Sequence, residues 1–408
     1  MARTVEELPG GARVTDFISL GVLSEKIPRA EVRRVLEETG RQSQRRRKLP
    51  MDVMVYYVVA LALYMEVSYG EVLRCLLEGL DWVGLPVKPI RTVRKSSISR
   101  ARMRLGLEPV ERLYRELVGP VAVSDTRGAF YRGRRLVSLD GTGVDVADVP
   151  KNEDAFGRPG SPRGKSAFPQ IRFVTLAECG THVLFGARMG PCDRAETELA
   201  RPVLTEGLTD GMLCLADRYF FGYELFGQAA EAGADLLWRL KKNHVFPCQK
   251  RLPDGSYLSK TYPSPRDRAK DRNGRPVRVI EYRLEGAGGD GKPLYRLVTT
   301  LLDPEEAPAE ELAALYHQRW EVENAFDELK VHLRGPGVVL RSRTPELVRQ
   351  EFYGFLLAHY AIRDLMHEAA LEADLDPDTV SFTHTVRVVR RKLPRYGAFP
   401  PSGKNQTP

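Results

Sequence analysis

Short apolar runs alternate with segments of helical character between residues 135 and 240, and this order restricts the fold more than any other feature. Each run has the length and the β-branched content that are typical of a strand. The predicted elements are strands at Arg135–Val146, Ile171–Ala177 and His182–Met189, a helix at Arg194–Glu206, a strand at Gly211–Asp217, a helix at Tyr223–Ala232 and a strand at Ala234–Leu240. Such alternation predicts an α/β fold.

Three strands followed by helix, strand, helix and strand is the order of a ribonuclease-H-like α/β core. Outside this core the residues up to about 125 show helical patterns, whereas short β-rich runs broken by Gly, Pro and Asp occupy 245–305. A Pro- and Gly-rich loop is expected at Val149–Pro169, and helical regions are expected at Ala309–Leu333 and Glu346–Glu372. The predicted units are an N-terminal helical domain at 1–125, the first part of the core at 130–244, a β-rich insertion at 245–305, the second part of the core at 306–375 and a basic C-terminal tail at 376–408.

The composition excludes several classes of protein. The 408 residues are 42% hydrophobic and 28% charged, as in an ordinary folded protein. The longest uncharged apolar run, Val53–Met65, falls well short of the ~20 residues that cross a bilayer. Five scattered cysteines with no Cys-x-x-Cys pair argue against a disulfide framework and against a zinc site. We therefore expect a cytoplasmic protein with no membrane association.

The formal net charge of +8 favours a polyanionic partner. Two basic clusters lie in the N-terminal region, one at Arg41 and Arg45–Lys48 and the other at Lys88–Arg104, which contains no acidic residue. Like charges repel one another unless a partner neutralises them, so we expect at least one cluster to contact DNA. The alternative is a solvated helix face. The candidate contacts in the second cluster are Arg100, Arg102 and Arg104.

Two aspartates occupy strand positions that suit a metal-binding site. Asp140 lies within an apolar strand, where an unpaired carboxylate is costly to bury, and Gly141 after it allows close approach of a ligand. Asp217 ends a later strand, at the edge where α/β sheets bind ligands. Phosphodiester chemistry on DNA commonly uses two divalent cations, and Mg²⁺ requires oxygen ligands. Taken singly, each aspartate is better explained as a strand-end or turn residue, but the two together favour the metal site.

A third carboxylate lies in the helical segment Tyr316–Lys330. At about 100° per residue, Tyr316, Arg319, Glu323 and Lys330 share an arc of roughly 60° on one helix face. Glu321 and Glu328 are then expected on the solvent side, whereas Asp327 falls close enough to rival Glu323. The alternative is a surface helix with Arg319 and Glu323 as an ordinary (i, i+4) pair.

This pattern, Tyr316-x2-Arg319-x3-Glu323-x6-Lys330, resembles the Tyr-Arg-Glu-Lys signature of the insertion element 4 family of bacterial DDE transposases. Asp140-Gly141-Thr142 resembles the segment of the family's first catalytic Asp, and Leu215-Ala216-Asp217-Arg218 resembles that of its second. The resemblance covers about residues 10 to 395. It includes N-terminal segments at Ile18–Leu23, Arg45–Arg47 and Val55–Val58.

The resemblance implies that Asp140, Asp217 and Glu323 are the catalytic residues and bind two Mg²⁺ ions, with Mn²⁺ as a substitute. It also implies a ribonuclease-H-like core that is interrupted between Asp217 and Glu323 by the β-rich insertion. The residues implied to contact DNA near the transposon end are Tyr316, Arg319, Lys330 and Arg239 with its neighbour Lys241.

The implied substrates are double-stranded terminal inverted repeats and target DNA, bound by a homodimer in a bacterial, nucleoid-associated complex. Cleavage would free a 3′ hydroxyl for strand transfer, with a hairpin on the transposon end in some relatives. Two other functions stay open on the sequence: another ribonuclease-H-like nuclease, such as a resolvase, and a captured, catalytically silent transposase that only binds DNA.

Overall fold

The protein is a mixed α/β structure in which a bundle of helices precedes one large sheet. The computed structural model describes residues 24–43, 49–82, 94–161, 164–283 and 294–390. The N-terminal helices are α1 (Arg29–Glu38), α2 (Met51–Leu63), α3 (Tyr69–Trp82), α4 (Lys95–Leu105) and α5 (Glu108–Leu117).

The remaining α-helices lie between or after the strands of the sheet. They are α6 (Pro150–Phe156), α7 (Glu196–Gly207), α8 (Tyr223–Glu231), α9 (Pro265–Ala269), α10 (Ala309–Leu315), α11 (Glu321–Asp327), α12 (Pro345–Glu372) and α13 (Phe382–Val389). Helix α12 joins the N-terminal helices to the sheet. It packs on α2 and α5 and also contacts strand β6 (Leu184–Pro191). At the contact with α2, Gly354 lies directly against Val58, and a Cβ on Gly354 would lie 2.6 Å from Val58 Cγ1.

Helix α2 is buried along almost its whole length because it is apolar on every side. It begins directly after Pro50, whose ring suits the start of a helix. Its burial against α12 explains why the longest apolar run of the sequence forms a core helix rather than a membrane span. Within the described ranges, the helices are too short or too polar to cross a bilayer.

The strands of the structure correspond to the apolar runs of the sequence. They are β1 (Phe130–Tyr131), β2 (Arg134–Asp145), β3 (Gly160–Ser161), β4 (Gly164–Lys165), β5 (Gln170–Glu178), β6 (Leu184–Pro191), β7 (Met212–Ala216), β8 (Asp235–Arg239), β9 (Lys250–Arg251), β10 (Tyr257–Thr261), β11 (Arg275–Arg283) and β12 (Leu294–Thr299). All but the β3–β4 hairpin belong to one mixed sheet in the described part of the chain.

The strand order of this sheet is β6-β5-β2-β7-β8-β12-β11-β10-β9, with β1 paired to β2. Strands β2, β7 and β8 are parallel neighbours, whereas β5 and β6 run antiparallel at one side. The central parallel strand β7 has a continuous apolar sequence and is buried at every position. The carboxyl ends of the three parallel strands meet at one edge of the sheet.

The β-rich segment predicted as an insertion extends this sheet. Strand β12 pairs antiparallel with β8, at Val298 opposite Trp238, and β11, β10 and β9 follow outward. Buried Arg278 fastens this extension, since its guanidinium donates to the carbonyl of Ala307 at 2.6 Å and is paired with Asp254. The segment is thus continuous with the core by backbone hydrogen bonds.

One expectation about local structure was wrong. The predicted loop Val149–Pro169 contains helix α6 and the β3–β4 hairpin, because Pro150 opens a helix whose Asn152 and Phe156 are buried. The segment Ala309–Leu333 is helical throughout, as expected, but its helical type changes along its length. Helix α10 gives way to a 3₁₀-helix at Tyr316–Trp320, then to α11, and then to a π-helical segment at Glu328–Leu333. We call Tyr316–Leu333 the signature segment.

Candidate active site

The parallel pairing of β2 with β7 brings two of the predicted aspartates together. Strands β2 and β7 pair in parallel with Leu139 opposite Ala216, so Asp140 and Asp217 are the next residues on neighbouring strands. Within the described ranges no side chain donates a hydrogen bond to the Asp217 carboxylate. Its oxygens are therefore available to a ligand.

The guanidinium of Arg319 connects Asp140 to the third predicted carboxylate. Arg319 is 7% exposed, and its Nη1 lies 3.2 Å from Asp140 Oδ2 while its Nη2 lies 3.1 Å from Glu323 Oε1. The (i, i+4) pair with Glu323 does form, but the arginine is buried rather than on a surface. Arg319 thus holds together two carboxylates that are far apart in the sequence.

Burial and neighbouring charges determine the protonation of Asp140. Burial raises its pKa to about 6, and the nearby Glu196 and Glu323 act in the same direction. The backbone NH of Gly141, which donates to Asp140 Oδ1 at 2.8 Å, and the Arg319 charge act against this rise. A carboxylate held in this way gains from any additional cation.

Tyr316 is placed differently from its predicted phosphate contact. The ring is buried, and its hydroxyl donates to the carbonyl of Ala216 at 3.3 Å, directly before Asp217. Burial raises the pKa of the Tyr316 hydroxyl well above its ordinary value. Tyr316 therefore positions the strand end that carries Asp217.

Lys330 reaches the same strand as Asp140 from the π-helical part of the signature segment. Its Nζ donates to Thr142 Oγ1 at 2.8 Å. Burial lowers the pKa of Lys330, while Asp327, Asp145 and Asp140 act to raise it. The lysine is thus half-buried beside the carboxylates, at the edge of the site.

The expectation that Glu321 and Glu328 face solvent was wrong. The Glu321 carboxylate accepts from the backbone NH of Gly180, and Glu328 Oε2 lies 3.2 Å from Nε of buried Arg363. Burial acts to raise the pKa of Glu328, but Arg363 and two histidines outweigh it and hold the pKa well below its ordinary value. Glu328 is covered because the middle of α12 brings Arg363 against it, and helix α13 also packs on the π-helical part of the segment.

The basic clusters divide between exposed and buried residues. Arg100 and Arg104 are exposed on α4, as expected of a surface that binds DNA. Arg102 is 3% exposed, and its guanidinium donates to Gln350 Oε1 at 2.9 Å, so its predicted DNA contact is wrong. The predicted basic residues at Arg45–Lys48, Lys88–Arg91 and beyond Arg390 lie outside the described residues.

Arg239 and Lys241 lie beside aromatic rings at the end of β8. The Arg239 guanidinium lies 4.4 Å from the Tyr295 ring centroid, and the Lys241 ammonium lies 4.7 Å from that of Tyr219. Tyr219 is 60% exposed and follows Asp217 by two residues. Together these side chains form a partly exposed cationic and aromatic rim near Asp217, in which Tyr219 is the most exposed.

Comparison with known families identifies the chain. The profile for the N-terminal domain of insertion element 4 transposases matches residues 17–115, and the profile for the transposase DDE domain matches residues 131–360. The chain is 30% identical over 366 residues to the transposase InsG for insertion sequence element IS4 of Escherichia coli strain K12, covering 89% of this chain and 80% of InsG. The chain is a DDE transposase of the insertion element 4 family.

Two further similarities accompany this one. The putative transposase InsZ of the same strain is 26% identical over 54% of this chain and 71% of InsZ. The structure is also similar to the piggyBac transposase in its synaptic complex with hairpin DNA, with a TM-score of 0.49, 10% identity, and coverage of 92% of this chain and 79% of that one.

DDE transposases are metal-dependent enzymes, and the donor atoms of the site fit that requirement. Asp140, Asp217 and Glu323 supply only oxygen ligands, which is the donor set of Mg²⁺ and Mn²⁺. Arg319 is the cation that already lies between two of them.

Two residues of this transposase site were missed by the sequence analysis. Glu196 stands in the first turn of α7, and its Cδ would lie 3.0 Å from a Cβ on Gly141, so glycine at 141 makes room for a further carboxylate near Asp140. Tyr219 is the other. Its place two residues after Asp217 was a signal in the sequence, whereas nothing in the spacing of Glu196 pointed to β2.

Proposed function

We propose that this transposase binds the terminal inverted repeats of an insertion sequence and catalyses Mg²⁺-dependent DNA cleavage and strand transfer at their ends. The observation that carries the proposal is the position of buried Arg319. Its guanidinium holds Asp140 and Glu323 together, and Asp217 directly follows β7, the strand next to the one that carries Asp140. Three convergent carboxylates beside a partly exposed cationic and aromatic rim suit phosphodiester chemistry on a polyanion.

The strand order supports a ribonuclease-H-like core for this chemistry. Two antiparallel strands lie beside three parallel ones, with Asp140 within β2 and Asp217 directly after β7, and this arrangement supports such a core. We propose that β9–β12 are its insertion. The N-terminal domain, residues 1–125, is then the DNA-binding domain, with Arg100 and Arg104 exposed on its helix α4.

Asp140, Asp217 and Glu323 would hold two Mg²⁺ ions. When bound, these ions would stabilise the charge that develops on the scissile phosphate and raise the nucleophilicity of the attacking oxygen. Arg319 keeps the Asp140 and Glu323 carboxylates in place before DNA arrives, so less reorganisation is needed when the reaction begins.

The other side chains would bind and orient the DNA. Lys330, at the edge of the site, is placed to contact the backbone next to the cut, and Arg239 and Lys241 are placed to contact the flanking phosphates. Hydrolysis at the element end frees a 3′ hydroxyl, and the same hydroxyl then attacks the target phosphodiester. Since two ends must be paired, we propose a homodimer in the DNA complex.

The test is cleavage of a labelled duplex that carries the element's own terminal repeat, with Mg²⁺ or Mn²⁺. We expect the wild type to cut at the element boundary and Glu323→Gln to bind the duplex without cutting it. Asp327→Asn is the matched control, because Asp327 is one turn further along and exposed, 3.2 Å from His332 Nε2.

Three other outcomes would contradict parts of the proposal. Cleavage that survives Glu323→Gln and disappears in Asp327→Asn would transfer the third metal ligand to Asp327. Binding without cleavage by the wild type would indicate a silent DNA-binding transposase. Cleavage of branched DNA with no preference for the terminal repeat would indicate a resolvase-like nuclease.

A further inference from the structure

A second group of metal-ligating side chains lies on the other face of the signature segment. His182 is in the turn between β5 and β6, Glu321 begins α11, and Asp378 is in a 3₁₀-helix at Pro377–Thr379. One ligand atom from each lies within 4.8 Å of the other two. Glu321 and Glu323 are two residues apart, about 200° around a helix, so this group is separate from the carboxylates of the active site.

The imidazole of His182 is oriented by a hydrogen bond on its far side. Nδ1 lies 3.1 Å from Glu328 Oε1, and the other oxygen of Glu328 is paired with Arg363. An ionised carboxylate only accepts, so a neutral His182 ring carries its proton on Nδ1 and presents the lone pair of Nε2. This arrangement, in which a carboxylate fixes the tautomer of a histidine, is the usual support of a histidine that binds a metal.

The opposite nitrogen lacks a suitable partner in the described structure. The His182 side chain is 94% buried, and Nε2 makes no hydrogen bond although Asp378 Oδ1 lies 3.2 Å away. The second acceptor facing it is the carboxylate of Glu321, which takes one hydrogen bond from Gly180. The Arg363 guanidinium nearby forms its ion pair with Glu328 instead. Three acceptors, which are His182 Nε2 and the carboxylates of Glu321 and Asp378, therefore face one another at a partly buried position.

We propose that His182, Glu321 and Asp378 bind one divalent transition-metal ion of the zinc type. One imidazole nitrogen and two carboxylate oxygens form a ligand set that zinc accepts, with water in the fourth position. In a tetrahedral site, bonds of about 2.1 Å place ligand atoms about 3.4 Å apart, so the three side chains need to close by no more than about 1.4 Å. The scattered histidines and cysteines of the sequence concealed this site, because its ligands come from three distant segments.

An ion here would join three parts of the chain that position the active site. It would fasten the segment after α12 and the β5–β6 turn to the start of α11, two residues before Glu323. The ion is thus structural, and its ligands are positioning residues for the catalytic carboxylate. The site itself does not depend on the proposed cleavage reaction.

The experiment measures Zn²⁺ binding to a chain that lacks the active-site carboxylates, Asp140→Asn, Asp217→Asn and Glu323→Gln together. Isothermal titration and competition with a chromogenic chelator are the readouts, with thermal unfolding alongside. We expect one equivalent of Zn²⁺ to bind and to raise the melting temperature. Because DNA cleavage is absent from this chain, the result is independent of the proposed function.

Adding Asp378→Asn should weaken Zn²⁺ binding at least about tenfold, the range seen when metal sites lose supporting groups. The Asp378 side chain is 40% exposed, so the variant keeps its fold. Asp374→Asn is the matched control, since that side chain is 97% exposed and asparagine tolerates its positive φ of 51°. Glu328→Gln should weaken binding as well, by loosening His182.

No Zn²⁺ binding by the parent chain would overturn the proposal. Equal binding with and without Asp378→Asn would overturn it too.

Discussion

Single substitutions of the three arginines of α4 should distinguish the one that stabilises the fold from the two that are placed to bind DNA. Arg100, Arg102 and Arg104 are alike in the sequence, but only Arg102 is buried. Its guanidinium donates to Gln350 Oε1 at 2.9 Å, to Ser342 Oγ at 3.0 Å and to the Leu347 carbonyl at 3.0 Å. These contacts fasten α4 to the start of α12.

Arg102→Met keeps the length of the side chain and removes the three donors. Hydrogen bonds from a charged donor contribute about 1.5–3 kcal/mol each, and the acceptors left behind are buried. Since the contributions are not additive, we expect the free energy of unfolding to fall by about 3–5 kcal/mol. At an m-value of about 3 kcal/mol/M, the urea midpoint falls by about 1 M or more.

Arg100→Met and Arg104→Met should behave in the opposite way. Both side chains are exposed, so the free energy of unfolding should change by less than about 0.5 kcal/mol. If each contacts one phosphate, each variant lowers the slope of log affinity against log salt by about 0.9. Fluorescence anisotropy with a labelled terminal repeat at several salt concentrations measures that slope.

An Arg102→Met variant with the wild-type urea midpoint and a reduced salt slope would refute this reasoning. It would mean that Arg102 leaves its buried partners to contact DNA. Unchanged salt slopes in all three variants would instead remove α4 from the DNA-binding surface while leaving the structural assignment of Arg102 intact.

Three other perturbations follow from contacts in the structure. Gly354→Ala should destabilise the protein by about 1–3 kcal/mol in urea unfolding, because the new Cβ would overlap Val58, whereas an unchanged midpoint would show that α2 and α12 separate easily. Burial acts to raise the pKa of Asp254, but three hydrogen bonds from Ser256 and Ala309 and the Arg278 charge hold it below its ordinary value. Its stabilising contribution is therefore complete above about pH 4 and is lost as pH falls further. Melting temperatures of wild type and Asp254→Asn should therefore converge on acidification, and parallel curves would contradict this. Glu196→Gln should raise the Mg²⁺ concentration for half-maximal cleavage roughly threefold to tenfold, since one nearby charge contributes about 1 kcal/mol, and an unchanged Mg²⁺ dependence would exclude Glu196 from the site.

Much of the fold was predictable because strands and helices leave local patterns in a sequence. The apolar runs of β2, β5, β6, β7 and β8 were recognisable from their composition, and the structure has a strand at each. The pairing of the strands could not be predicted from these local patterns. That β12 joins β8, so that the supposed insertion continues the same sheet, depends on hydrogen bonds between distant segments.

The signature segment shows the same division within one element. Its spacing correctly indicated that Arg319 and Glu323 share a face, because a helical repeat is a local property. The covering of Glu321 and Glu328 could not be inferred in this way. A helical period gives the direction of each side chain relative to its neighbours but does not say what packs against it.

By itself, the sequence determined the order of the elements, the family signature and the separation of charged from apolar positions along each element. Only the tertiary structure decided that Arg319 lies between Asp140 and Glu323, that Arg102 is buried and Arg100 is not, and that three distant segments bring His182 near two carboxylates. The physical reason is that burial and electrostatics depend on which surfaces meet, and those contacts join residues whose separation along the chain leaves no periodic trace.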